Sequence, residues 1–278
     1  MRTSPCRVLD DRDLPAVQAV LARDPVTDVF VGSRVSTCGL DSWRLGAEIW
    51  GYHEHGELVS LCYSGANLVP VQATQAAARV FADRARRQGR RCSSIVGPIQ
   101  AVEPMWRMLE SAWGPARAVR VQPHMAAGAS PGCAPDPAVR RVREDEVDLV
   151  LPSCIAMFIE EVGVSPVAGD GGALYRARVW ELIRQGRAFA RIEDGVVVFK
   201  AEIAAATRQA CQIQGVWVPP EFRSRGLAAA GIAAVAAEAQ RSVASRVSLY
   251  VNDYNAPARA AYQKAGFGEI GCFMSVLF

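Results

Sequence analysis

Lysine is almost missing from this 278-residue chain: only Lys200 and Lys264 stand among its 31 basic residues, and the rest are arginine. With abundant Ala and Val, that bias suggests a GC-rich genome and carries no mechanism by itself. Charge of one sign is missing too. The net charge of +3 is small for this length and excludes a general polyanion binder, so no nucleic-acid partner is expected. The densest basic run, Arg84 to Arg91, reads as a solvated helix face and its end. The three histidines, His53, His55 and His124, are too dispersed to form a metal set, and no metal is expected. The eight cysteines include no pair spaced as a metal knuckle or a redox couple, and several lie in apolar, strand-like runs. They read as reduced core residues of a cytoplasmic protein. No run is long and apolar enough to span a bilayer, and residues 1–12 are polar with no apolar leader core, so no membrane partner is expected.

Half of the residues are apolar, which is enough to bury a sizeable core, and the length suits two domains. Residues 127–138 are small, Gly- and Pro-rich and without apolar period, and read as a linker between domains at 1–126 and 139–278. The second half predicts a short strand at 140–143, a helix with an acidic first turn at Glu144 to Glu146, a Gly- and Pro-rich loop at 163–172, and a second helix at about 173–185. Strands at 189–192, 196–205 and 210–218 follow, then a helix at 227–241, a strand at 247–251, a helix at 257–265 and a final strand at 269–278. The first half repeats this order more faintly, with helices at 14–21, 26–35, 74–87 and 102–113 and strands at 7–9, 49–53, 58–63, 91–98 and 118–126. The expected fold is α/β with a mixed sheet, duplicated in tandem.

The informative segment runs from Val216 to Ala228. A strand ends at Val218, Pro219 and Pro220 stop it, and a loop with Arg223, Ser224, Arg225 and Gly226 leads straight into the helix that opens with Leu227 and Ala228. A helix start directs unpaired N–H groups and a positive dipole end at an anion. Gly226 permits positive φ or close approach, and the arginines add charge-assisted donors. The segment therefore reads as a pyrophosphate cradle, against the plainer reading of a strand–helix turn with two surface arginines.

Arg223, Gly226 and Ala228 fit the cofactor motif of the GNAT acyltransferase superfamily: Arg or Gln, two residues, Gly, one residue, then Gly or Ala. Asn255, Tyr262 and the pair Gly266-Phe267 resemble that family's second landmark. With Phe158 to Pro166 and Val198 to Glu202, the chain resembles an actinobacterial GNAT group with an extra amino-terminal domain. The resemblance covers about 139–278 and implies acetyl-CoA, or another acyl-CoA, as co-substrate. Acyl transfer to an amine acceptor, a small molecule or a protein, would run by direct attack in a ternary complex. It implies that the Val216-Trp217-Val218 backbone holds the pantetheine arm and polarises the thioester, that Asn255 holds the cofactor from the other side, and that Tyr262 protonates the departing thiolate. Glu202, which shares a strand face with Lys200 and alternates away from Phe199, Ala201 and Ile203, is the first choice of base, against the plainer reading of a surface carboxylate or one salt-bridged to Lys200 or Arg208. Glu160 and Glu161 are the next candidates for base or cationic-acceptor contact, and Gln212 and Gln214 are placed to order a water. A monomer or a homodimer is equally compatible with the sequence.

In the first half, Asn67 to Ala76 carries no such motif, and Trp106 stands about where Tyr262 does in the second. That half reads as a degenerate copy. The rival reading of the whole chain is a non-catalytic acyl-CoA-binding regulator or sensor, which loss of Arg223 or Tyr262 would have favoured; both are present. Calorimetry of the intact chain is expected to give a single acetyl-CoA site, and two equivalent sites would contradict the degeneracy of the first half.

Overall fold

The computed structural model describes residues 5–168 and 171–278. The expected Gly-rich loop at 163–172 therefore lies partly outside the described residues. The chain divides into two compact units. Unit 1 comprises Met1–His124, Tyr250–Tyr254 and Glu269–Phe278; unit 2 comprises Met125–Leu249 and Asn255–Gly268.

Unit 1 begins with β1 (Cys6–Val8), α1 (Leu14–Leu21), α2 (Val29–Cys38) and α3 (Ser42–Leu45). It continues through β2 (Glu48–Glu54), β3 (Glu57–Ser64), β4 (Asn67–Val71), α4 (Gln75–Gln88), β5 (Ser94–Pro98), α5 (Ile99–Trp113) and, as far as His124, β6 (Ala118–Ala127). The sequence reading missed α3 and β4. The proline in β4 hid that strand. Pro70 lies beyond the last parallel pair of β4 with β5, Leu68↔Ile95, where no ladder partner on that side needs its missing N–H. Helix α2 starts at Val29 rather than at 26. Residues before it form a turn in which the Thr27 N–H donates to Asp24 Oδ1 at 3.1 Å.

The second half contains β7 (Arg140–Arg141), α6 (Val147–Val162), α7 (Ala173–Arg184), β8 (Ala188–Glu193), β9 (Val196–Ala206), β10 (Ala210–Trp217), α8 (Leu227–Ser242), β11 (Arg246–Tyr250), α9 (Ala256–Lys264) and β12 (Phe267–Leu277). The two halves share one order of elements and one pairing rule. Strands β1 to β5 run side by side, antiparallel until the parallel β4–β5 step. Strands β7 to β11 do the same, with the parallel step at β10–β11. The expected mixed-sheet α/β fold, duplicated in tandem, is the fold observed.

Each unit packs helices on its sheet. In unit 1, Val17, Val20, Val31 and Val35 from α1 and α2 pack with Ile49, Leu61 and Val71. Ala78, Phe81, Met105 and Leu109 from α4 and α5 pack with Trp50, Ile95 and Val276. In unit 2, Val150, Cys154, Val179 and Ile183 from α6 and α7 cover Ala190 and Val197. On the other side of that sheet, the ring of Phe199 lies against α8 at Gly231. The segment at 128–139 has no regular structure beyond isolated turns, yet it packs within unit 2. Asp136 is buried there, accepting from Arg191 Nη1 at 2.7 Å, and its N–H donates to Ala230 O at 3.0 Å. No disulfide joins the described cysteines, and burial pushes the thiols of Cys62, Cys154 and Cys211 up.

From Glu269 onward, β12 belongs to unit 1. It pairs antiparallel with β5 from Phe273↔Pro98 to Leu277↔Ser94, and Met274 and Val276 enter the cluster around Trp50 and Phe81. Truncation after Gly268 is therefore expected to strip β5 of its antiparallel partner, leaving it only the short parallel pairing to β4 at Ser94 and Ile95, and to open that cluster. Hydrogen exchange at Val96 and Gly97, beyond the last β4 pair, should rise by orders of magnitude toward the unfolded rate. Unchanged protection there would mean that unit 1 holds together without the last strand.

Candidate active site

The centre of unit 2 is a break in β10. The β9–β10 register runs Gln214↔Glu202 and then Trp217↔Lys200, so Gly215 and Val216 together oppose one residue. This is a β-bulge, and Gly215 carries it at φ +59°. On its other edge, β10 pairs with β11 only through Ala210↔Arg246, Cys211↔Val247 and Gln212↔Ser248. Beyond Gln212 the parallel ladder stops, so the bulge follows the point at which the two strands part. Backbone groups at 215–218 are thereby released from one neighbour.

Below the bulge the chain turns through Pro219 and a short 3-10 turn, Pro220–Phe222, before α8 begins. Ser224 has φ +62° and Gly226 has φ +80°, both left-handed. Gly226 is the N-cap of α8 and provides no side-chain cap. The first intrahelical N–H is that of Ala230, which donates to Gly226 O at 3.3 Å. The N–H groups of Leu227, Ala228 and Ala229 thus precede the helical ladder, at the positive end of the helix dipole. A Cβ on Gly226 would meet nothing within 4 Å, so glycine is needed there for conformation. Arg225 Nη2 donates to Glu221 O at 3.0 Å, and its guanidinium stacks on Phe222 at 5.2 Å.

The other candidate residues fall into three groups. Glu160, at the end of α6, accepts from Arg223 Nη2 at 2.8 and 2.7 Å and from Trp217 Nε1 at 3.1 Å. Arg223 also donates from Nε to Val218 O at 3.0 Å. The arginine expected to face an anion is thus engaged by a carboxylate expected to face the acceptor, and that guanidinium holds the Glu160 carboxyl below its usual range. Tyr262, on α9, is buried and its ring neighbours Phe267. Burial first, then the charge of nearby Glu161, pushes its phenol well above the ordinary value. Asn255 caps α9, its Oδ1 accepting from the Ala258 N–H at 3.2 Å.

The third group lies on the face of β9 turned toward α6. Glu202 accepts from Gln214 Nε2 at 2.9 Å and pairs with Lys200, whose Nζ is 3.7 Å from Glu202 Oε2. Both side chains are almost fully buried, 5 % and 10 % exposed. Lys200 Nζ lies 3.4 Å from Met157 Sδ of α6. A small cavity of about 10 Å³ adjoins the pair, lined also by Val150, Cys154 and Val179. The pair ends against the bulge: a Cβ on Gly215 would sit 3.1 Å from Glu202 Cδ and 3.2 Å from Lys200 Nζ. Gln212 is buried at the last β10–β11 pair, opposite Ser248.

The sequence reading had no place for Gly215 or for the positive φ of Ser224, and it took Lys200 only as a counter-ion. The signal for the bulge was present, since an isolated glycine inside a strand pattern marks one.

The site and sheet define a class: an α/β unit with a bulged, splayed strand pair facing an uncapped helix start. Residues 160–267 match the family model described as "Acetyltransferase (GNAT) family", and this segment is a GNAT-family acetyltransferase domain. Residues 47–150 match a domain of unknown function, DUF4081. No curated protein sequence matches the chain. Among solved structures, the chain is similar to a GCN5-related N-acetyltransferase from Sphaerobacter thermophilus (TM-score 0.61, 18 % identity, 97 % of this chain and 93 % of that one). It is also similar to a tandem GNAT protein from the clavulanic acid biosynthesis pathway (0.57, 13 %, 98 % and 98 %). A GNAT-family acetyltransferase from Colwellia psychrerythraea is a third such structure (0.57, 11 %, 98 % and 99 %). At these identities the likeness is one of fold. Among the described residues, no helix is long and apolar enough to cross a membrane.

Gly226→Asp brings a carboxylate to the helix start and adds a left-handed strain of about 1–2 kcal/mol. It is expected to weaken acetyl-CoA binding by more than about 10-fold in calorimetry, and Gly226→Ala, which adds the strain alone, by much less. Equal affinity in Gly226→Asp and the native chain would remove this loop from the site.

Proposed function

We propose that unit 2 transfers an acyl group, acetyl by default, from acyl-CoA to an amine acceptor by direct attack in a ternary complex. The observation that carries this reading is the bulge at Gly215-Val216 beside an uncapped α8. An exposed backbone edge and an array of free N–H groups lie on one continuous stretch of chain, which suits a long ligand with a polyanionic end.

Bound acyl-CoA supplies an activated acyl carbon. The N–H groups at Gly226, Leu227 and Ala228 hold the pyrophosphate in this reading, with Ser224 and Arg225 beside them. Arg223 joins them by exchanging Glu160 for phosphate; the pair is about half exposed, and such pairs contribute only about 0–1 kcal/mol. Backbone groups of Val216, Trp217 and Val218 bond the pantetheine arm and polarise the thioester oxygen. Asn255 lines the other side with the face of its amide that the α9 cap leaves over.

The acceptor amine approaches from the side of Glu160, Glu161, Gln212 and Gln214, which favours a cationic molecule. Glu202 takes its proton, directly or through a water that Gln214 orders. Tyr262 gives a proton to the departing sulfur. Its raised phenol is protonated at neutral pH and therefore a donor there.

Release of free CoA with a panel of amines tests the activity. In the Tyr262→Phe variant, turnover is expected to fall by about 10²-fold with acetyl-CoA affinity unchanged. Near-native turnover would mean that the thiolate leaves without this phenol.

A further inference from the structure

Lys200 stands out against the composition of the chain. All but two of the 31 basic residues are arginine, and the other lysine, Lys264, is exposed on α9. The one buried site for a basic side chain on the strand beside the bulge holds a primary amine. Unlike a guanidinium, whose charge is delocalised, a lysine presents a single primary amine of the kind that acts as a nucleophile. The ammonium offers three donors, and its partners here are a carboxylate at 3.7 Å and a thioether at 3.4 Å. Both are weak or long contacts for a group almost fully withdrawn from water.

From this we infer that Lys200 is a self-acylation site of unit 2. The inference rests on the reading of the bulge as the seat of the acyl thioester. Lys200 Nζ is the buried amine against that bulge, within 3.2 Å of the position a Gly215 Cβ would take. Glu202, which accepts the proton of an incoming amine in that reading, is already paired with it. When no acceptor is present, the nucleophile and base that the reaction requires are therefore both supplied by β9.

The step balances without a further reactant. Lysine ammonium gives one proton to Glu202 and becomes the free amine. Its lone pair forms the N–C bond to the acyl carbon as the C–S bond breaks, and the sulfur leaves with the electron pair. The thiolate takes one proton to become CoA thiol, and the second amine proton passes through Glu202 to water. The product is a neutral amide beside Glu202, which has then lost its counter-ion in a buried place. Acylated protein would be a poorer catalyst for that reason, so the reaction shuts the site down when acyl-CoA is plentiful and acceptor scarce.

The test is incubation of the full chain with acetyl-CoA and no acceptor, followed by intact mass and peptide mapping, with calorimetry of acetyl-CoA on the same preparation. The expected result is one acetyl group per chain on Lys200, formed at least about 10-fold faster than on Lys264, and slowed by about 10-fold or more in Glu202→Gln with acetyl-CoA binding retained. Lys200→Arg should remain unlabelled. Mapping of the native chain decides the matter even if that variant fails to fold. Binding of acetyl-CoA with Lys200 unmodified would overturn the inference and leave the acyl seat standing. Absence of binding would overturn both. Equal labelling of Lys200 and Lys264, or equal labelling of Lys200 in urea-unfolded chain, would be plain chemical acylation and would also overturn it.

Discussion

One extra residue in β10 governs the arrangement of unit 2. Gly215 and Val216 share a single partner on β9, and that mismatch follows the loss of pairing to β11 after Gln212. A continuous ladder here would satisfy every backbone group on both edges and leave nothing for a ligand to bond. The bulge depends in turn on a glycine. The left-handed φ at 215 is costly for other residues, and a Cβ there would press on both Glu202 and Lys200. The same small residue thus lets the strand bend and lets a buried charge pair reach its backbone.

Unit 1 offers a natural control, since it has the same strand order and the same early end to its parallel pairing, at Leu68↔Ile95. What differs is the helix start that follows. Thr74 caps α4, its Oγ1 accepting from the Ala77 N–H at 3.1 Å, so an N–H that is open in α8 is already satisfied. Gln72, the left-handed residue between β4 and α4, donates to Asp28 at 2.6 Å. Burial raises that carboxyl to about 7, and the connection from Val71 to Thr74 holds no arginine. In the proposed reading, splaying of strands is therefore not enough for an anion site; the uncapped helix start and the arginines before it are the added requirement.

These differences explain which features could be read from the sequence. The loop at Arg223 to Ala228 was legible because its determinants are local: two prolines to stop a strand and a glycine at a helix start. The alternation in β9 likewise separated Lys200 and Glu202 from Phe199, Ala201 and Ile203. It did not reveal that both faces are covered, because a polar face reads as solvated until the helix lying on it is known. Strand β4 was missed because Pro70 argues against a strand unless the missing partner is known. The transfer of β12 to unit 1 and the grip of Glu160 on Arg223, which lies 63 residues further along, depend on contacts between distant segments. No local period encodes those.

Burial sorts the charges of the candidate site into two kinds. The Glu160–Arg223 pair is half exposed, and solvent screening makes it easy to exchange. It keeps the guanidinium near the loop while leaving it able to turn to a stronger anion. The Lys200–Glu202 pair is almost dry, and removal of one partner from a buried pair typically costs about 3–5 kcal/mol. In a pair of that kind neither member leaves without the other being neutralised. An exchangeable pair at the anion end and a fixed pair at the bulge suit a site whose ligand arrives by its charged end. The reacting end then meets a geometry that was set before it came.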